Sequence, residues 1–344
     1  MRILDIFERR ATQLRRDASP VQCSGAFVTG CHEPMRIARD SVTSRRSVLQ
    51  GLAGAALLPW PGVAVTAGGL GVSQVARELT LIAGGGGNIL VLQTGDGRVL
   101  VDSGAAASSD AVLATLDELP GGGVTAVFNT HWHLDQVGSN EALGESGATI
   151  FAHEKTRQRL GAGYYLPAED RYEQPLPRAA LPTETVYTDG ATSIGGQRID
   201  YGHLILAHTD GDIYVSFPDL NVIAVGDVVS RARDPMFDWF GGGWLGGRVD
   251  SLALLLELSD ADTRFVPSYG AVIGRAELQA EHDLMLELFE RMVEHVRLGE
   301  TAQDMLTTGV LDGLGRTFED PYRLLYDMHK GFWAHHNKLM PDIV

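Results

Sequence analysis

Thr130-His131-Trp132-His133-Leu134-Asp135-Gln136 follows directly on the apolar run Val124 to Phe128. If the chain stays extended past that run, residues i, i+2 and i+4 project from one side, so His131, His133 and Asp135 converge on one point. Convergent imidazoles beside a carboxylate form a donor set for a metal ion.

Around that stretch, the chain has the means to bury a full core. It has 344 residues, of which 44% are hydrophobic, and its mean hydropathy is near zero, which places it in the ordinary globular class. No segment offers the roughly 20 unbroken apolar residues of a membrane helix. The 41 glycines favour tight turns over a helical bundle. A net charge of −16 argues against nucleic acid or anionic lipid as a partner and leaves a small-molecule substrate.

The N-terminal portion reads as an address. Ser44-Arg45-Arg46-Ser47-Val48-Leu49 is a twin-arginine pattern, and it runs into the weakly apolar stretch Gly51 to Ala67 with its small-residue ending Val65-Thr66-Ala67. Residues 1–67 are therefore expected to be leader and signal peptide, with export in the folded state to the periplasm, and 68–344 the mature domain. Both Met1 and Met35 are starts compatible with this reading. Cys23 and Cys31 precede the boundary, so the mature chain is expected to be cysteine-free, and a metal must bind through His, Asp or Glu. Nine of the arginines but only five acidic residues fall before the boundary, so the remainder is more acidic still.

Beyond residue 67 the expected elements alternate between strand and helix. Asn88 to Gln93 and Arg98 to Asp102 read as strands joined by the turn Thr94-Gly95-Asp96-Gly97. Ser109 to Leu119 reads as a helix stopped by Pro120. Val124 to Thr130 and Ala148 to Ala152 read as buried strands, and Glu154 to Leu160 as a helix. Strands are expected again at Arg198 to Leu206, Ile213 to Phe217, Val222 to Val225 and Arg264 to Val266. Helices are expected at Val249 to Leu258, Arg275 to Leu298, Thr301 to Thr308 and Pro321 to His336; the long one carries Leu278, Met285, Leu288, Met292 and Val296 along one core-facing stripe. Two β-rich halves, each followed by helices, suggest paired sheets with helices outside.

Four further segments join the opening motif, each at a strand end or on the loop beyond it: Val101-Asp102-Ser103-Gly104, Ala207-His208-Thr209-Asp210-Gly211-Asp212, Val225-Gly226-Asp227 and Val266-Pro267-Ser268-Tyr269-Gly270. In this order and spacing the chain resembles the metallo-β-lactamase fold superfamily over roughly residues 78 to 300, most closely its exported lactamase-like hydrolases. The resemblance implies an α/β fold, a four-layer αββα sandwich of two mixed β-sheets flanked by helices. It implies that His131, His133 and His208 hold a first zinc ion, that Asp227 bridges towards a second, and that Asp102 supports the site by hydrogen bonds. Zinc held by three nitrogens with an open corner lowers the pKa of water to about 7 and so supplies hydroxide for cleaving an amide, lactam, lactone or ester.

Two positions depart from that pattern. Gln136 stands where binuclear members have a histidine, and Pro267-Ser268-Tyr269-Gly270 replaces Pro-Gly-His-Gly. The second site thus keeps Asp135 and Asp227 but exchanges two imidazoles for an amide and a phenol, both poor ligands, so one tightly held metal is expected, with the second weak or absent. Released from a second metal, Asp135 can act as general base and Tyr269 as a hydrogen-bond donor to the developing oxyanion. A mononuclear iron dioxygenase using His131, His208 and Asp227, and a catalytically weak binding protein, remain alternatives. Gly84-Gly85-Gly86-Gly87 lacks the features of a phosphate loop and is expected to be a mobile turn. His153, His203, His282, His295 and His335-His336 have no partner at ligand spacing. The aromatics Tyr164-Tyr165, Phe237 to Phe240 and Trp244 suit either a substrate wall or packing.

Overall fold

Strands that are apolar on both faces must be covered on both sides, and the first sheet is built that way. In the computed structural model, which describes residues 64–65, 69–166 and 171–339, β1 (Ala64–Val65), β2 (Gly71–Ala76), β3 (Leu79–Gly85), β4 (Gly87–Thr94) and β5 (Gly97–Val101) pair antiparallel in sequence order. β6 (Val124–Phe128) and β7 (Thr149–His153) follow as parallel neighbours, and after the separate hairpin of β8 (Tyr164–Leu166) and β9 (Arg171–Glu173), β10 (Glu184–Val186) adds beside β7. The second sheet runs β11 (Gly190–Ile194), β12 (Gln197–His203), β13 (Ile213–Phe217), β14 (Val222–Gly226), β15 (Arg264–Pro267) and β16 (Ile273–Gly274), with only β14 and β15 parallel.

Parallel neighbours need crossovers, and these supply the outer layers. α1 (Ser109–Glu118) links β5 to β6, α2 (Asn140–Glu145) links β6 to β7, α3 (Glu154–Gly161) follows β7, and α4 (Leu245–Glu257) links β14 to β15. α5 (Arg275–Arg297), α6 (Ala302–Thr307) and α7 (Pro321–Leu339) complete the described chain. The side-chain alternation divides the core accordingly. Leu90, Leu92, Val99, Val101, Ala126 and Phe128 meet Ile199, Ile213, Val215, Phe217 and Ala224 between the sheets. Their neighbours Ile89, Val91, Leu100, Val127 and Ile150 pack outward against Val112, Leu116 and Leu143 of α1 and α2. α4 and α5 pack together on the far side of the second sheet, with Leu278, Met285, Leu288 and Met292 of the expected stripe buried and Val296 half-buried near its end. The result is the αββα sandwich.

Three points differ from expectation or fall beyond reach. No element was expected at β2, β3, β8 to β11, β16 or α2: Gly71, Ser73 and Gln74 break the apolar alternation of β2, Gly84 and Gly85 end β3, and the others are short. The glycine run is a tight connection in which Gly85 pairs with Gly87; Gly86 has a φ of 111°, and a Cβ there would fall 2.6 Å from Ala105 N and 2.9 Å from Asp135 O, so glycine is required where this turn packs on the loop after β6. The twin-arginine segment Ser44 to Leu49, Cys23, Cys31 and the boundary after Ala67 lie outside the described residues, while Ala64–Val65, inside the expected signal, form the edge strand β1.

Candidate metal centre

The loop after β6 turns where an extended run was expected. Gln136 N donates to His133 O at 3.0 Å and Asn140 N to Val137 O at 3.1 Å, so the extended run breaks after His133 and Asp135 does not continue the line of His131 and His133. Three backbone bonds lace this loop to the neighbouring strand ends, Ser103 N to Gln136 O at 2.7 Å, Gly138 N to Gly104 O at 2.6 Å and Gly87 N to Asp135 O at 3.2 Å. Asn129, Asn140 and Ser103 close a buried side-chain network beneath it.

One donor atom from each of His131, His133, His208 and Asp227 lies within 4.8 Å of the others. His133 Nδ1 stands 3.0 Å from His208 Nε2, and Asp227 Oδ2 is 3.6 Å from His208 Nε2 and 3.8 Å from His131 Nε2. Ligands about 2.0–2.1 Å from a tetrahedral zinc are separated by about 3.3 Å. Asp135 is not among the four.

The outward nitrogen of every ring is occupied. His131 Nδ1 lies 3.0 Å from Thr130 Oγ1, His133 Nε2 3.1 Å from Asp238 Oδ2 and His208 Nδ1 2.9 Å from the Met236 carbonyl. Thr130 Oγ1 itself donates to Asp102 Oδ2 at 2.8 Å, so it accepts from His131. The network assigns the N–H of each imidazole to its outward nitrogen and leaves three lone pairs turned inward. Two lone pairs facing each other at 3.0 Å repel unless a cation or a proton stands between them. His131 Nε2 and Asp227 Oδ1, both buried, have no hydrogen-bond partner among the described residues. The donor set fits a divalent ion.

Charge follows the same division. Burial, then the neighbouring His133, holds His131 and His208 well below the ordinary imidazole range, in the neutral form that binds metal. Burial also pulls on His133, but the Asp238 bond together with the charges of Asp238, Asp135 and Asp227 outweighs it and raises this imidazole. Burial raises Asp227 above the usual carboxylate range against the opposing pull of Arg233.

The flanking segments explain how the sequence places these groups. Asp102, at a left-handed φ of 62°, accepts from both the backbone and the hydroxyl of Thr130, each at 2.8 Å. Asp212 accepts from the backbone of His208 at 2.6 Å and Thr209 at 2.8 Å and from the Thr209 hydroxyl at 2.6 Å. Gly226, at φ 57°, lets Asp227 follow a strand end that passes the Thr130 side chain, where an added Cβ would sit 3.0 Å away. Arg248, fully buried, donates to the carbonyls of Asp227 at 2.6 Å and Met236 at 3.0 Å, so one guanidinium ties the Asp227 backbone to the acceptor of His208.

Of the residues singled out in the sequence, His131, His133, His208 and Asp227 are brought together and Asp102 sits behind them. Asp135 and Tyr269 stand to one side, with the Tyr269 hydroxyl donating to Asp135 Oδ2. Gln136 is fully buried, and neither side-chain polar atom has a partner among the described residues. Asp238, Met236, Thr130, Arg233 and Arg248 were missed. Two of them left a trace, Thr130 at the head of the opening motif and Asp238 as a lone acid among the aromatics Phe237 to Phe240. Of those aromatics, Phe237 is buried under Arg248 and Trp244 packs against His335, Phe289 and Phe332, whereas Phe240 is exposed.

Comparison with known proteins agrees with this geometry. The family model of the metallo-beta-lactamase superfamily matches residues 82–280. Metallo-beta-lactamase domain-containing protein 1 of Rattus norvegicus is 32% identical over 166 residues, 47% of this chain; the chain spans 59% of that relative's length. Among solved structures, a metallo-beta-lactamase from Pontibacter korlensis superposes with a TM-score of 0.52 at 21% identity, covering 63% of this chain and 99% of that one. The DIM-1 metallo-beta-lactamase superposes with a TM-score of 0.51 at 16% identity, covering 63% and 96%. At these identities the structural likeness speaks for the fold.

Proposed function

We propose, from the premise that this chain belongs to the metallo-β-lactamase superfamily, that it is an exported hydrolase holding one zinc ion between His131, His133, His208 and Asp227 and cleaving an amide, lactam, lactone or ester. The observation that carries this is the three inward lone pairs, each fixed by an acceptor on the far side of its ring. Zinc bound there would supply Lewis acidity and bring the pKa of a water to about 7.

The chain's own groups divide the remaining work. Thr130, Asp238 and Met236 orient the rings before any substrate arrives. Burial and the adjacent Asp135 charge hold the Tyr269 phenol above its ordinary range, so it stays protonated and acts as a donor. Its bond to Asp135 Oδ2 leaves the other carboxylate oxygen to take a proton from an attacking water. Tyr269 thereby positions the base, and an oxyanion role would require it to let go. Met236 and Phe240 expose apolar side chains on the loop that carries Asp238, which suits an apolar part of a small substrate.

Metal analysis of protein matured in its own compartment, combined with a panel of lactams, lactones, amides and esters, tests this reading. About one equivalent of zinc with hydrolysis supports it. Iron with oxygen consumption would replace it with the dioxygenase, and no bound metal with the binding protein. Ser44-Arg45-Arg46 supports the export part, and changing both arginines to lysine should hold the precursor in the cytoplasm.

A further inference from the structure

The other half of the cleft is already filled, and by a residue no motif pointed to. Arg233 Nη2 donates at 2.6 Å to Asp227 Oδ2, the same oxygen that faces His131 and His208. The guanidinium carbon lies 3.6 Å from the centre of the Tyr269 ring, within range of a cation–π contact. The Tyr269 hydroxyl in turn donates to Asp135. The two carboxylates available to a second ion are thus both engaged by donors of this chain, one cationic and one neutral. The Gln136 amide lies against Gly87, and an amide is a neutral, poor ligand beside two carboxylates already engaged.

Arg233 is also held from behind. Arg316 Nη2 donates to the carbonyls of Ser230 and of Arg233 itself, each at 2.5 Å. The other arm of Arg316 pairs at 3.3 Å with Glu281, a buried residue of α5. The loop bearing Arg233 is therefore tied to the helical layer before any ligand binds. A guanidinium keeps its charge at every accessible pH, so its repulsion of an incoming cation is permanent.

We propose that Arg233 is a resident cation standing where a second divalent ion would bind, so that the cleft accepts one such ion and excludes another. The proposal rests on the one-metal reading above and adds the residue that enforces it. Changing Gln136 and Tyr269 alone should not restore a second site; Arg233 must go as well.

Cobalt(II) titration, followed by absorption spectrum and by metal content after desalting, tests this without reference to turnover. The unaltered protein should take up one equivalent, and Gln136→His/Tyr269→His with Arg233 intact should still take up one. Adding Arg233→Gln should admit a second equivalent, tightened at least about a hundredfold, the scale of a close charge repulsion removed from a partly screened site. Arg233→Lys in the same background should return the count to one. Arg233→Gln alone, which leaves the native ligands in place, should admit the second ion weakly, and circular dichroism checks that each variant is folded. Two tight equivalents in the double variant, or a single equivalent in the folded triple variant, would overturn the proposal and leave the hydrolase reading intact. No cobalt in the unaltered protein would instead remove the one-metal reading, and the proposal with it.

Discussion

Two groups of histidines meet in the described part of this molecule, and they are arranged by opposite rules. The rings of His131, His133 and His208 stand 4.7–4.9 Å apart and nearly perpendicular, at 81–89°. His153 and His203 lie 3.9 Å apart and nearly parallel, at 19°. Imidazole lone pairs lie in the ring plane, so perpendicular rings can aim theirs at one centre and stacked rings cannot. The stacked pair also spends its nitrogens on the backbone. His153 Nδ1 accepts from Lys155 N at 3.2 Å at the start of α3, and His203 Nε2 lies 3.2 Å from the Asp210 carbonyl. Burial lowers His131 and His208 in the first group and both rings of the second, so a depressed imidazole does not by itself mark a site. Orientation and an inward nitrogen without a partner do.

The contrast predicts that removing one ring from each group has unequal effects. His208→Ala should weaken zinc or cobalt binding by more than about a hundredfold, because even the outer partners of ligating histidines are worth roughly 10- to 100-fold. Hydrolysis should fall with it. His203→Ala should leave metal content unchanged and cost only stability. Equal metal loss in both variants would break the distinction.

A finer cut acts on the outward side of a ring. Asp238→Ala leaves all four inward atoms in place and removes the acceptor at His133 Nε2, together with the bond that Asp238 Oδ1 accepts from Gly241 N at 2.7 Å. Metal affinity should fall by roughly 10- to 100-fold. Binding should also change its pH profile. Burial pulls His133 down, but the Asp238 bond and charge outweigh it and raise this imidazole above its ordinary range, so in the unaltered protein a proton competes with the ion up to a higher pH than for a free imidazole, and affinity should rise with pH as that proton leaves. In the variant the competing proton leaves at lower pH, and the rise should move down. Calorimetric titration at several pH values reads both effects; an unshifted profile would mean Asp238 does not tune this ring.

What was legible in the sequence follows from how local each signal is. Ile213–Phe217 was readable from a continuous β-rich run, and the segments beyond strand ends that bear His131, His208 and Asp227 from motifs a few residues long. The shape of the loop after β6 was not, because it depends on Ser103 and Gly87, which reach it from other strands. Arg233 was invisible for the same reason: its meaning comes from Tyr269 and Asp227, on separate segments. His153 and His203 looked partnerless because they come from strands in different sheets, and no spacing rule connects them.

The smallest predicted effect belongs to that pair and is read as stability. Burial, then the neighbouring His203, lowers His153 to about 4 in the folded chain, against about 6.5 when unfolded. Between those values the unfolded chain binds the extra proton and the folded chain does not, so the contribution of this group is intact above about pH 6.5 and is lost as pH falls towards 4. Discounted for solvent screening, the loss should be roughly 1–2 kcal/mol. His153→Gln keeps a polar side chain at the head of α3 but cannot titrate. Urea midpoints at pH 7 and pH 4.5 should therefore lie closer together in the variant than in the unaltered protein. If the two chains lose stability in parallel over that window, His153 is not a source of acid sensitivity, and the pH dependence of this fold comes from other buried groups, among them Asp212, which burial raises to about 7.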